Sequence, residues 1–116
     1  MSAMQTNSHS IIVTIVRKGR ARKICDASKQ AGAEGGTTIL GRGTSTREFQ
    51  RAFGISLDEE REVVLTVVKR DREDQVFDSI IDSCQMNKPG TGIAFVLDLK
   101  QVAGIAHLLK EVGNDE

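Results

Sequence analysis

The sequence contains no tryptophan and no tyrosine, and only four phenylalanines among its 116 residues. Proteins that bind single-stranded nucleic acids stack the bases on aromatic side chains, and this chain lacks such platforms. Sixteen basic and sixteen acidic residues give a formal net charge of zero at pH 7. There is therefore no overall field to attract nucleic acid or an anionic membrane, and we expect neither partner.

Metal-ligating and catalytic residue types are also scarce, with two cysteines and two histidines in the chain. Cys25 and Cys84 are far apart, and no spacing typical of a zinc site is present. We expect core thiols in a reduced, cytoplasmic protein, no metal site and no catalytic residues, since no Ser, His and Asp set is recognisable. His9 is expected to be a solvated tail residue, and His107 a residue of a helix surface or interface.

No apolar run approaches the roughly 20 residues that a membrane helix requires, so no membrane insertion is expected. The length suits one domain, which we place at residues 11–112, between a flexible tail at 1–10 and a short tail at 113–116. β-branched runs predict strands over 11–16, 37–40, 62–68 and 93–97. Apolar spacing predicts helices from Ala21 to a stop at Gly32, from an N-cap at Asp71 to Cys84, and from a cap at Asp98 to Val112.

The predicted order is that of an α+β, ferredoxin-like βαββαβ sandwich: a four-stranded antiparallel sheet with both long helices on one face, followed by a C-terminal helix. An antiparallel strand with one wet face should alternate between apolar and polar residues. The first, third and fourth predicted strands are apolar on both faces. We therefore expect the second face to be covered by other copies of the chain.

Two glycine-rich stretches stand beside predicted strands, one from Gly35 to Thr44 and one from Pro89 to Val96. Glycines at strand ends allow the backbone to approach a ligand closely, so the two stretches predict one shared cleft. Successive N–H groups at residues 90–92 can form an anion-binding nest, with the Thr91 hydroxyl as an extra donor. Arg42 adds a planar, charged fork that suits phosphate.

A segment at residues 44–60 separates the second and third predicted strands and shows neither a helical nor a strand period. Loops of this length in small domains are usually functional or disordered. Phe49 and Phe53 have the spacing of one face of a short helix. We assign partner binding to this segment, through Ser45, Thr46, Arg47, Phe49, Arg51 and Phe53.

The order of these motifs resembles that of the nitrogen-regulatory P-II proteins and the wider P-II-like group, from the first strand to about Gly104. The similarity lies in Gly35, Gly36 and Thr37, in the Gly-x-Gly at residues 41–43, and in the Gly-x-Gly at residues 90–92 before Ile93. It implies a cytoplasmic homotrimer that binds ATP, ADP or AMP in clefts between subunits. It also implies signalling to a protein target through a T-loop at 44–60, with nitrogen metabolism as the field of regulation.

Carried over onto this chain, the resemblance makes residues 41–44 the base of the T-loop and residues 89–93 the phosphate-side B-loop. Where the family's B-loop usually has a phosphate-binding lysine, this chain has Ile93, so Lys88 could supply that charge only from the other end of the loop. The T-loop tyrosine that some members have uridylylated is absent, and the arginine-bearing C-terminal segment is replaced by residues 102–109. The expected ligand-binding residues are Thr37, Gly41, Arg42, Gly43, Thr44, Lys88, Gly90, Thr91 and Gly92.

These departures leave the ligand open between a nucleotide less charged than ATP, another small anion and no nucleotide. The fold also admits other functions. An acylphosphatase would need an asparagine that the basic turn at residues 17–20 lacks. An ion-tolerance trimer would need clustered metal ligands. An ACT-like module that binds an amino acid at a subunit interface is the remaining alternative.

Overall fold

The computed structural model describes residues 8–43 and 59–104, which form one antiparallel sheet with two helices. The first half contains strand β1, helix α1 and strand β2. The second half contains strand β3, a 3₁₀ turn, helix α2 and strand β4. Their bounds are β1 His9–Arg17, α1 Ala21–Gln30, β2 Gly36–Gly43, β3 Glu59–Lys69, the 3₁₀ turn Arg70–Arg72, α2 Glu73–Cys84 and β4 Ile93–Asp98.

The four strands lie in the order β2-β3-β1-β4, and every neighbouring pair is antiparallel. This order confirms the predicted ferredoxin-like fold. β1 occupies the interior of the sheet, with Val13 opposite Leu65 of β3 on one side and opposite Phe95 of β4 on the other. β2 and β4 are the edge strands.

The hydrophobic core lies between one face of the sheet and the two helices. Alternate residues of β1 and β3 supply the sheet side, and one stripe of each helix supplies the other. The Ser79 hydroxyl of α2 donates a hydrogen bond to the carbonyl of Ala27 in α1 at 3.0 Å, and this bond links the two helices. The largest buried apolar side chains are Ile12, Val16, Ile24, Val64, Val68, Val76 and Ile80.

The open face of the sheet carries apolar side chains that no described element covers. Its rows join Leu97, Ile11 and Val67, then Phe95, Val13 and Leu65, then Ile93, Ile15 and Val63. Those of β1 and β3 are half-buried, whereas Ile93, Phe95 and Leu97 of β4 are 55%, 39% and 51% exposed. The expectation of strands that are apolar on both faces is therefore confirmed.

β1 begins two residues earlier than predicted, and the expectation that His9 is a solvated tail residue is wrong. His9 is only 3% exposed. Its ring Nδ1 shares a hydrogen bond of 2.8 Å with the Ser8 hydroxyl, and its carbonyl accepts the N–H of Leu99 at 3.2 Å. Pairing with the residue after β4 thus extends the strand beyond the β-branched run that signalled it.

Asp71 does not cap α2 as predicted. The chain first makes the 3₁₀ turn Arg70–Arg72, and the N-cap position falls on Arg72, which has no side-chain capping bond. Glu73 and Asp74 do lie in the first helical turn, where their charges favour the helix dipole. The stop of α1 is confirmed, since Gly32 has φ +116° directly after the C-cap residue Ala31.

The predicted start of a C-terminal helix at Leu99 is wrong. Asp98 ends β4 and pairs with Arg70 at 2.7 Å instead of capping a helix. Residues 99–104 are not helical: the Leu99 N–H continues the pairing with β1 by donating to the His9 carbonyl, and Gly104 has φ +94°. The rest of that predicted helix lies outside the described residues.

The N-terminus of α1 is capped by a carboxylate from β3. Oε1 of Glu62 accepts the backbone N–H groups of Gly19 at 2.9 Å and Ala21 at 2.8 Å. Arg20, at the N-cap position itself, makes no side-chain capping bond. Glu62 therefore satisfies donors that a helix start otherwise leaves open, and places a negative charge at the positive end of the helix.

We expect Glu62→Ala to lower the free energy of unfolding by about 1–2 kcal/mol, because it removes both capping bonds. Urea denaturation followed by circular dichroism measures the loss. The matched control is Glu60→Ala, since the Glu60 carboxylate forms an exposed ion pair with Lys18 at 3.3 Å and caps no described helix. That change should cost less than about 0.5 kcal/mol, and equal losses in the two variants would contradict the capping role.

Candidate ligand-binding site

The start of β2 forms one wall of a cavity of about 450 Å³ on the open face of the sheet. Thr37 lies opposite Leu65 in the register of β2 and β3 and contributes to this wall. Leu65 and Val67 form an apolar floor. The residues that line the cavity are Glu34, Gly35, Gly36, Thr37, Leu65, Val67, Val102, Ala103 and Gly104.

Gly36 is required for the close fit of this wall. A Cβ atom there would lie 3.2 Å from the backbone oxygen of Leu65. Such a contact is tighter than a packed side chain normally tolerates. The glycine therefore lets the start of β2 lie flat against β3, at the point where both strands border the cavity.

The second half of β2 carries Gly41, Arg42 and Gly43, about 13 Å from Thr37 at the usual rise of a strand. Gly41 shares the open face with Thr37, in one row with Arg61 and Arg17. Arg61 is only 8% exposed, and its side chain passes next to Gly43, where a Cβ would lie 3.3 Å from Nε. This end of the open face therefore carries two arginine side chains.

Arg42 lies on the other face of β2. Its register partner is Glu60, and the even-numbered positions of β2 pair with the buried Val64 and Thr66 beneath the helices. Arg42 is exposed at this edge. The register thus separates the Arg42 guanidinium from Thr37 and Gly41 within one chain.

Residues 88–92 form a tight turn between α2 and β4. The Thr91 hydroxyl donates to the carbonyl of Lys88 at 3.0 Å, so its proton is already used within the turn. Gly90 and Gly92 have φ of +82° and +141°, a region that favours glycine. Lys88 is exposed, and the anion-binding nest at these residues remains a prediction.

Within one chain the two glycine stretches do not meet. Only residues 41–43 of the first stretch lie at the same end of the sheet as the second, since Ile93 shares a row with Ile15, Val63 and Ile39, next to the row of Gly41. However, β2 and β4 are opposite edges of the sheet, separated by three strand spacings, or about 14 Å. A cleft that uses both stretches must therefore form between neighbouring chains.

Sequence reasoning missed several residues that line the cavity. Leu65 and Val67 looked like ordinary strand residues, and Val102 was assigned to a helix. Glu34 stands directly before the glycine stretch at Gly35, and this adjacency was the one available signal. Thr44 and the partner-binding residues Ser45, Thr46, Arg47, Phe49, Arg51 and Phe53 lie outside the described residues.

Glu34 also lines a second, smaller cavity of about 270 Å³ at the end of α1. Its other polar residues are Gln30, Lys69 and Arg72. One oxygen of the Glu34 carboxylate, Oε1, is buried and has no hydrogen-bond partner within residues 8–43 and 59–104. Glu34 thus lines both cavities.

Within the described part of the chain, no three His, Cys, Asp or Glu side chains are grouped as a metal site. The two cysteines are free thiols, and Cys84 is buried whereas Cys25 is half-buried. None of the helices in this part is long and apolar enough to cross a membrane. The polar groups that the described residues contribute to the larger cavity are the side chains of Glu34 and Thr37 and backbone groups.

The family model for nitrogen regulatory protein P-II matches residues 9–107 of this sequence. The chain belongs to the P-II family. The structure is also similar to that of PII from Arabidopsis thaliana in a crystal structure with bound citrate, with a TM-score of 0.62 and 26% sequence identity. That alignment covers 81% of this chain and 79% of the Arabidopsis chain. Comparison with curated proteins gives no match.

P-II proteins are regulatory signalling proteins that bind small molecules and are typically trimeric. In this P-II protein the family match spans all four strands and both helices. The match therefore confirms both the predicted resemblance and the fold class, and it supports a small-ligand-binding regulatory protein.

Proposed function

We propose that this P-II protein is a cytoplasmic, non-catalytic homotrimer that binds an adenine nucleotide or a related small metabolite in clefts between its subunits. Binding changes the conformational population of the segment that joins β2 to β3. A protein target reads that change, with nitrogen metabolism as the proposed field of regulation. A ligand shifts such an equilibrium only by its differential affinity for the two states.

The cavity at Thr37 is the observation that carries this proposal. Its volume of about 450 Å³ lies within the range of roughly 300–1,000 Å³ that is usual for small-ligand sites. Leu65 and Val67 offer an apolar surface for a flat base. About 13 Å further along β2, the row of Gly41, Arg61 and Arg17 offers positive charge for an anionic group.

The open apolar face supports the homotrimer. Three strands present apolar side chains there, with Ile93, Phe95 and Leu97 among the most exposed. Packing of other copies against this face removes that surface from water, which is the main driving force for association. It also brings the β2 edge of one subunit towards the β4 edge of the next.

The charge pattern favours a ligand with fewer phosphates than ATP. Ile93 follows Gly92 where the family usually has a lysine, and Arg42 and Thr37 lie on opposite faces of β2. Citrate bound to the Arabidopsis protein is a small polycarboxylate, and it supports an anionic metabolite as the other class of ligand. ADP and AMP are therefore the first nucleotides to test, with citrate beside them.

Isothermal titration calorimetry of the nucleotide-free protein with ATP, ADP, AMP and citrate, each with and without magnesium, tests the proposal. We expect saturable binding of about one ADP or AMP per subunit, and weaker binding of ATP. A true ligand must also raise the melting temperature by mass action, by an amount that grows with its concentration.

Saturation by citrate alone would replace the nucleotide by a carboxylate metabolite. Absence of both heat and thermal stabilisation with all four compounds would refute small-ligand binding at this site. Gly41→Val is the site variant for these titrations, because no described atom lies within 4 Å of the Cβ position. We expect Gly41→Val to weaken binding at least tenfold while the protein remains folded.

A further inference from the structure

We propose that Glu34 is a specificity-determining residue, which accepts a hydrogen bond from a neutral donor of the ligand. The donor is either the exocyclic amine of the base or a hydroxyl of the ribose. This inference rests on the proposed function, because it concerns the ligand of the same cavity. It adds a determinant of ligand specificity that the glycine motifs do not provide.

The first argument is the unsatisfied oxygen of the Glu34 carboxylate. Oε1 is shielded from solvent and has no hydrogen-bond partner in the described part of the chain. Buried polar atoms in folded proteins are almost always paired, and an exception calls for an explanation. Glu34 lines the adjoining cavity, so a turn of its carboxylate towards a ligand donor in that cavity would supply the missing partner.

The second argument is the polarity of the cavity wall. Of its lining residues, only Glu34 and Thr37 have polar side chains. In sites of this kind a few polar groups fix the orientation of the ligand and give specificity. An ionised carboxylate is only an acceptor, whereas the threonine hydroxyl both donates and accepts. Glu34 therefore selects for a donor.

The third argument is the separation of charges along β2. Glu34 precedes the strand, at the end opposite the cationic row of Arg61 and Arg17. A carboxylate repels phosphate, and the arginine row attracts it. A nucleotide is thereby oriented with its base and sugar at Glu34 and its phosphates towards Gly41.

Lys69 and Arg72 line the smaller cavity beside Glu34. The Arg72 guanidinium donates a hydrogen bond to the side-chain oxygen of Gln75 at 3.2 Å. Among the described residues neither cation forms an ion pair or hydrogen bond with the Glu34 carboxylate. No described residue therefore pairs with the carboxylate, and it is available to a ligand.

The experiment compares wild type and Glu34→Gln by calorimetric titration with ADP, inosine diphosphate and 2′-deoxy-ADP. Inosine diphosphate replaces the amine of the base by a carbonyl oxygen, and 2′-deoxy-ADP lacks one ribose hydroxyl. We expect Glu34→Gln to weaken ADP binding about three- to tenfold, because the amide oxygen of glutamine still accepts the hydrogen bond but carries no charge.

The analogue that lacks the partner donor should bind the wild type about tenfold or more weakly, and this penalty should be several-fold smaller in Glu34→Gln, whose neutral amide oxygen accepts a weaker hydrogen bond. A smaller penalty for inosine diphosphate assigns the amine, and a smaller penalty for 2′-deoxy-ADP assigns the hydroxyl. ADP affinity that is the same in Glu34→Gln as in wild type overturns the inference while leaving the proposed function intact.

A second measurement does not depend on nucleotide binding. A shielded carboxylate oxygen without a hydrogen-bond partner destabilises the ligand-free protein. The melting temperature of ligand-free Glu34→Gln should therefore rise by about 2–4 °C. The matched control is Glu73→Gln, because Oε1 of Glu73 already accepts the Ser10 hydroxyl at 2.6 Å. Glu73→Gln should lower the melting temperature and leave ADP affinity within about twofold.

The two measurements separate the failure of each idea. A wild type that binds no ADP counts against the proposed function, and Glu34 is then judged by its effect on stability alone. A lower melting temperature for Glu34→Gln means that the carboxylate has a structural partner, which overturns its role as a ligand residue. A higher one shows that the carboxylate has no stabilising partner in the free protein, as the inference requires.

Discussion

Gly92→Ala should lower the free energy of unfolding by about 2–4 kcal/mol, a large fraction of the stability of a domain of this size. The added Cβ would lie 2.6 Å from the backbone oxygen of Ile15 and 2.8 Å from Cγ1 of Val16. Backbone cannot move aside as a flexible side chain does, and φ of +141° adds strain for any residue with a Cβ. Thermal and urea denaturation measure the loss.

Gly41→Ala is the matched control for this prediction. Gly41 also lies at the glycine-rich end of the sheet, but no described atom is within 4 Å of its Cβ position. The free energy of unfolding of Gly41→Ala should rise by less than about 1 kcal/mol. Equal destabilisation of the two variants would contradict the close approach of residue 92 to β1.

The same comparison changes how ligand tests are designed. A bulky residue at Gly92 would disturb the fold and the site together, so loss of binding there would not identify a ligand contact. Gly41 has space for a side chain and shares the open face with Thr37. It is therefore the cleaner position at which to probe binding.

Phe95→Lys should convert the proposed trimer into monomers. Phe95 stands on the open face next to Val13 and is 39% exposed in the single chain. In a trimer its ring would be buried, and three unpaired ammonium groups in that apolar contact would cost several kcal/mol. Sedimentation velocity should show a fall from about three times the protomer mass of 12.6 kDa to one protomer.

Leu40→Lys is the control for assembly. Leu40 is 67% exposed, and its register partner is Glu62, which places it on the other face of the sheet. A lysine there should leave the mass of the assembly unchanged. A wild type that sediments as a monomer, or loss of assembly in both variants, would contradict the assignment of the open face as the subunit interface.

Sequence patterns predicted the layered architecture because local and global preferences agree there. β1 and β3 are β-branched on both faces, and α2 repeats its buried positions Val76, Ile80 and Cys84 at helical spacing. Such elements are recognisable without knowledge of their neighbours. The order of the elements then left few topologies to consider.

The wrong predictions for His9 and for the residues after Asp98 share one contact between distant parts of the chain. The apolar spacing after Asp98 suits a helix, whereas the Leu99 N–H is bonded to the His9 carbonyl, ninety positions earlier. The cap of α1, which was not predicted, comes from Glu62, 41 residues beyond Ala21. The sequence also does not identify Glu34 as a ligand-binding residue, because a single carboxylate beside glycines is not a motif. Its unpaired oxygen is seen only in the structure.

The two glycine stretches lie at opposite edges of one sheet, so in the proposed ligand cleft each protomer would contribute two half-sites and no whole one. In the proposed trimer, ligand binding and assembly are therefore thermodynamically linked. Apparent affinity falls on dilution into the range where subunits separate, and bound ligand slows that separation. Subunits with different damaged halves can also restore one intact site when they assemble together. The signal from such a protein thus depends on both the ligand concentration and the fraction of subunits assembled as trimers.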